Sequence, residues 1–67
     1  MSEPLFPSIV LSLREHIDKP VGLIAYVRRN LQKAGHGEAA LKFTEEAFAA
    51  EPEEILGVAS RYVTIED

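Results

Sequence analysis

The chain has 67 residues, of which 46% are hydrophobic and 27% are charged, and its net charge is −4. A chain of this length builds one small core, which excludes a second domain and a deep internal active site. The absence of cysteine excludes a disulfide framework, thiolate catalysis and a zinc site built on sulfur. The charge is uneven, because residues 1–34 carry +2 and residues 35–67 carry −6. Such an asymmetry can steer association between copies or with another charged surface.

Prolines and glycines divide the chain into four segments in which apolar residues recur with the period of a helix. We predict helices over residues 7–17, 20–34, 38–50 and 52–63, three of which begin at a proline. The expected fold is all-α, a small orthogonal bundle of four short helices. It forms a single domain over residues 1–67, with 1–6 as an N-terminal arm and 64–67 as a short tail.

The first segment fits two interpretations. As a helix, it has an apolar stripe that runs from Ile9 to Ile17; as a strand, Ile9, Leu11 and Leu13 alternate with other residues. A strand would need a partner, and residues 62–65 are the only other segment with β character. That pairing would be a marginal two-stranded sheet, so the helix is the preferred expectation.

The second helix has the clearest apolar stripe, and Gly35 follows it as a left-handed cap. Residues 7–17 are expected to pack as a lid across a core built by the last three helices. The predicted core residues are Leu23, Val27, Leu31, Leu41, Phe43, Phe48, Ile55, Val58 and Tyr62.

The chain shows no arrangement of residues that indicates catalysis. His16 and His36 are too far apart for a metal-ligand motif, and the paired glutamates at 45–46 and 53–54 fall on polar helix faces. We therefore predict that the protein is not an enzyme, with no catalytic residues, no metal site and no cofactor.

Membrane and targeting signals are not expected either. The apolar run at 9–13 is too short for a signal core or a membrane span, and the first residues are acidic and contain proline. The expected location is the cytoplasm, with no membrane contact.

Nucleic-acid binding is the alternative function. A helix, a glycine turn and a second helix outline a helix-turn-helix, and Arg28, Arg29 and Lys33 could contact phosphates. The third helix, however, carries Glu38, Glu45 and Glu46, which phosphates would repel, and only Lys42 opposes them. A nucleic-acid accessory role is therefore the less favoured one.

Protein binding is the preferred function, as a non-catalytic interaction or regulatory module of unknown process. Leu11 and Tyr26 fall off the core stripes of their predicted helices, and Leu5 and Phe6 lie in the arm. We expect these four side chains to contact an unidentified protein or a second copy in a weak homodimer. Alternatively, Phe6 and Ile65 simply cover the open ends of the bundle.

Several stretches of the chain carry a family resemblance: LQKAGH at 31–36, EAAL at 38–41, EEAF at 45–48, IL at 55–56 and RYV at 61–63. They resemble a family of short prokaryotic and phage-borne proteins without an established activity. In that family a helix ends at Ala-Gly, a Glu/Ala-rich helix follows, and Tyr-Val closes the chain. The layout of the last three helices is also similar to ubiquitin-associated (UBA) domains, with Gly35 at the glycine of their first loop. The methionine and aromatic residue of that loop are replaced by Ala34 and His36, so ubiquitin binding is not implied.

Overall fold

The structure is a computed structural model that describes residues 3–16 and 18–66. In chain order, the elements are strand β1 (Phe6–Ser12), a 3-10 turn (Arg14–His16), helix α1 (Pro20–Lys33), helix α2 (Gly37–Ala49), a 3-10 turn (Pro52–Glu54), helix α3 (Ile55–Ser60) and strand β2 (Val63–Glu66). Three α-helices and a two-stranded parallel sheet make an α+β fold. The expected all-α four-helix bundle is therefore wrong.

The largest correction concerns the first segment, which is the strand β1 and not a helical lid. Burial alternates along it, because Leu11 is buried between the exposed Val10 and Ser12, and Leu13, just after the strand, is buried again. β1 pairs in parallel with β2 at the other end of the chain, where Leu11 lies opposite Ile65. Ile17, the end of the predicted stripe, lies outside the described residues, as do Met1 and Ser2 of the arm and Asp67 of the tail.

Hydrogen bonds at the start of the sheet join the two ends of the described chain. The backbone N–H of Phe6 donates to the carbonyl of Tyr62 at 2.8 Å, and the Thr64 hydroxyl donates to the carbonyl of Pro7 at 2.9 Å. The pairing is irregular between Phe6 and Val10, which accommodates Pro7, a residue that cannot donate to a regular ladder. Residues 64–66, expected in a tail, thus belong to the sheet.

Helix α1 agrees closely with its prediction. It begins at Pro20 and buries one stripe, which consists of Leu23, Ile24, Val27 and Leu31. After its end, Gly35 has φ of 88°, and the His36 N–H donates to the Leu31 carbonyl at 2.9 Å. This is the left-handed glycine cap expected from the sequence.

Helix α2 is present as predicted but buries a different face. Its buried residues are Ala40, Phe43 and Ala47, whereas Leu41 is 63% exposed and Phe48 is 61% exposed. The prediction of Leu41 and Phe48 as core residues is therefore wrong. The two small alanines let α2 approach its neighbours closely, so Phe43 alone fills the centre of the core on this helix.

The last predicted helix is shorter than expected, since α3 ends at Ser60. A capping box formed by Glu51 and Glu54 starts the turn that leads into α3. Tyr62 and Val63 remain buried although they lie beyond the helix, and the Tyr62 ring meets Phe43 edge-on with centroids 5.6 Å apart. The core therefore lies between the helices and the inner face of the sheet.

Candidate protein-interaction surface

A continuous surface of α1 and α2 exposes large apolar side chains. Val21 of α1 is 66% exposed, which together with Leu41 and Phe48 places three such residues on the two helices. We call this surface the hairpin face; it consists of Val21, Ala25 and Arg28 from α1 and Leu41, Thr44 and Phe48 from α2. Scattered exposed apolar residues are ordinary, but three neighbours on one surface are a feature of interaction sites.

The pairing of α1 with α2 positions this face. Only residues 34–36 separate the two helices, and such a short connection places consecutive helices antiparallel. Accordingly, Val21 near the start of α1 and Phe48 near the end of α2 line the same groove, of about 120 Å³. Leu41 lies two turns before Phe48 on the same side of α2, which extends the face along the helix pair.

The two sides of the hairpin face carry opposite charges. Arg28 lines the groove from α1, and Arg29 lies next to it on the exposed side of that helix. On α2, Glu45 is four residues from Leu41 and three from Phe48, so it borders the apolar stripe directly. Glu38 lies two turns earlier on that side of α2. Lys42 lies between these two glutamates, so the α1 side of the face is basic and the α2 side keeps a net negative charge.

The four protein-contact residues predicted from the sequence lie elsewhere. Leu11 is only 6% exposed and belongs to the core, so the prediction that it lies off the core is wrong. It rested on helical spacing in a segment that is a strand. Tyr26 is half-buried and stacks on His16, with ring centroids 4.6 Å apart. Phe6 is half-buried and stacks on His36 at 3.9 Å, whereas Leu5 is 65% exposed.

These contacts also locate the two histidines and the cleft beside Leu5. The ring of His16 stacks on Tyr26 of α1, and the ring of His36, at the start of α2, stacks on Phe6. Leu5 lines a cleft that is separate from the groove of the hairpin face and contains Ala39 and Tyr62 together with charged residues of α2. In the part of the chain that the structure describes, no three His, Asp or Glu side chains converge as metal ligands would.

The three predicted phosphate contacts are exposed but do not form one patch. Arg28 points towards the groove, whereas Arg29 and Lys33 lie on the outer side of α1. The spacing spreads these cations over roughly 140° of the helix circumference. Phosphate binding by all three at once would therefore need a ligand that wraps around the helix.

Polar groups beside the hairpin connect α2 to the end of α3. The Tyr62 hydroxyl donates a hydrogen bond to Glu46, and Nη2 of Arg61 lies 2.8 Å from Oε2 of the same carboxylate. The hydrogen bond from Tyr62, followed by the charge of Arg61, holds the pKa of Glu46 below its ordinary value. Burial, followed by the bond to Glu46, raises the pKa of Tyr62 to about 12. These contacts hold residues 61 and 62 against α2 and lie outside the hairpin face.

Sequence reasoning missed Val21, Leu41 and Phe48 as surface residues. A signal was available, because the apolar residues of α2 cover more than one side of that helix. A helix in a small domain cannot bury two sides at once, so one set had to remain outside. The choice between the sets could not be made from spacing alone.

Comparison with known proteins adds no relative to this description. No protein-family model, curated protein or solved structure matches the chain. The two family resemblances noted from the sequence stay predictions. Among the described residues, no helix has the length and apolar character needed to cross a membrane.

Proposed function

We propose that the protein is a non-catalytic protein-interaction module that acts in the cytoplasm and binds its partner through the hairpin face. The observation that supports this proposal is the exposure of Val21 and Phe48 on one groove, with Leu41 exposed two turns away on the same side of α2. Two rigid helices hold these side chains in place, so a partner would not have to order a loop in order to bind.

The energetics favour a contact of this kind. Full burial of one large apolar side chain contributes roughly 1.5–3 kcal/mol. Val21, Leu41 and Phe48 each expose more than half of their surface, so covering all three would contribute on the order of 3–5 kcal/mol before the costs of association. Hydrogen bonds and charge pairs at the rim would add specificity to this apolar centre.

The experiment compares two identical substitutions on different surfaces. Leu41→Gln removes an apolar group from the hairpin face, and Leu5→Gln makes the same change at a residue of nearly equal exposure beside the other cleft. Each variant and the wild-type protein are immobilised and exposed to a lysate of the cells that produce the protein. Circular dichroism first establishes that both variants are folded.

We expect Leu41→Gln to lose the proteins that the wild type retains, while Leu5→Gln keeps them. Retention by Leu41→Gln equal to that of the wild type would contradict the proposal. Loss confined to Leu5→Gln would assign binding to the cleft beside Leu5 instead, and would contradict it as well.

A further inference from the structure

The charge pattern of the hairpin face identifies the kind of partner that fits it. We propose that the face binds a second copy of this chain, so that α1 of each copy packs on α2 of the other. This inference rests on the proposed function, because it assigns a partner to the same surface.

The two helices differ in charge, which makes the face complementary to itself. Arg28 and Arg29 lie on α1, whereas the exposed side of α2 carries Glu38, Lys42 and Glu45 and has a net charge of −1. Two copies that meet face to face can be related by a two-fold axis along the helices or across them. An axis across the helices would place α1 on α1 and arginines on arginines. An axis along the helices places α1 on α2 and arginines beside glutamates.

The apolar residues are compatible with the same arrangement. A two-fold axis along the helices keeps each residue at its own level along the groove. Val21 and Phe48 line the same end of the groove, so Val21 of one copy would pack on Phe48 of the second copy, and the reverse contact would form as well. The axis that satisfies the charges therefore also brings the apolar residues together.

The size of the face predicts the strength of the dimer. Two adjacent helices that are each about 20 Å long cover on the order of 400 Å² per copy. A standard stable interface buries roughly 800 Å² per partner, so this dimer is weak and reversible. We expect a dissociation constant on the order of 100 µM.

The test uses charge reversals whose effects cancel only across the proposed interface. Arg28→Glu removes the net positive charge of the α1 side, where Arg29 remains, and Glu45→Arg makes the α2 side basic together with Lys42. Lys33→Glu and Glu53→Arg change the net charge by the same amounts on exposed residues that are away from the face. Sedimentation equilibrium up to about 1 mM protein measures the dimer of each variant, and of an equal mixture of Arg28→Glu with Glu45→Arg.

We expect each reversal on the face to raise the dissociation constant at least about tenfold, because like charges then meet in two symmetric contacts. The two control variants should stay within about twofold of the wild type. The mixture should associate as strongly as the wild type, since the reversed charge at position 28 of one variant then meets the reversed charge at position 45 of the other.

A wild-type protein that remains monomeric at about 1 mM would overturn the homodimer. So would a mixture that associates no better than its two components, because the charges would then not meet across the interface. A dimer that is unchanged by Leu41→Gln would use another surface and would overturn it too. A monomeric wild type that still retains other proteins, and loses them with Leu41→Gln, would overturn only this inference and leave the proposed function standing.

Discussion

At the scale of single residues, Tyr62 shows how one side chain serves both the core and a polar contact. Its ring lies edge-on against Phe43 in the core, while its hydroxyl reaches Glu46 on the outer side of α2. A buried tyrosine usually needs such a hydrogen-bond partner for its hydroxyl. Arg61 also pairs with Glu46, but this ion pair is exposed and contributes little by itself.

The raised pKa of Tyr62 predicts a loss of stability in alkali. The folded state favours the neutral phenol, because its pKa is about 12 against an ordinary value of about 10. This contribution to the free energy of unfolding is complete below pH ~10 and is lost as the pH rises towards ~12. Tyr62→Phe keeps the ring but removes the titrating group. Urea unfolding of both proteins across this range checks the prediction.

We expect the difference in stability between the wild type and Tyr62→Phe to shrink steadily above pH ~10. Every other titrating group is common to the two proteins, so its effect cancels in this difference. A difference that is constant from pH 9 to about 12 would contradict the prediction.

At the scale of secondary-structure elements, β1 is the segment whose apolar spacing wrongly predicted a helix. Its burial follows the two-residue period of a strand, with Leu11 inside and Val10 half exposed. Because β2 is its pairing partner, β1 depends on residues more than fifty positions away. A helix is stabilised by contacts between residues three and four positions apart, which is why α1 was predictable and β1 was not.

Alanine substitutions at two consecutive residues of β1 test this alternation. Leu11→Ala should lower the free energy of unfolding by about 2–4 kcal/mol, because it leaves a cavity in the core. Val10→Ala should change it by less than about 0.5 kcal/mol, because that side chain is half exposed. Chemical denaturation monitored by circular dichroism measures both. Equal losses in the two variants would contradict the strand assignment.

At the scale of the whole molecule, the fold depends on pairing between its first and last strands, β1 and β2. β1 and β2 lie side by side, and the fully buried Val63 of β2 belongs to the same core as the helices. A domain of this size has only a few kcal/mol of stability, so the loss of one layer is enough to unfold it. If β1 did not pair with β2 and pack on the helices, Leu11 and Leu13 would be exposed to solvent.

Removal of residues 63–67 should therefore abolish cooperative thermal unfolding. The truncated chain would lose the pairing partner of β1 and part of the core, so its far-UV circular dichroism should show fewer helical residues at 25 °C. Removal of only residues 66–67, which include the exposed Glu66, is the control and should leave a cooperative transition. A cooperative transition in the longer truncation would show that the helices fold without the sheet.

The helices α1 and α2 can be predicted from the sequence, because the contacts that specify a helix lie within a few residues. The stripe of α1, the glycine cap at Gly35 and the opposite charges of α1 and α2 can all be read from spacings of a few residues. Two further points depend on the tertiary structure. Residues 6–12 pair with residues 63–66, and α2 buries Ala40, Phe43 and Ala47 while Leu41 and Phe48 face outward. Both depend on contacts between segments distant in the chain. For that reason the candidate binding surface, unlike the helices that carry it, emerged only from the fold.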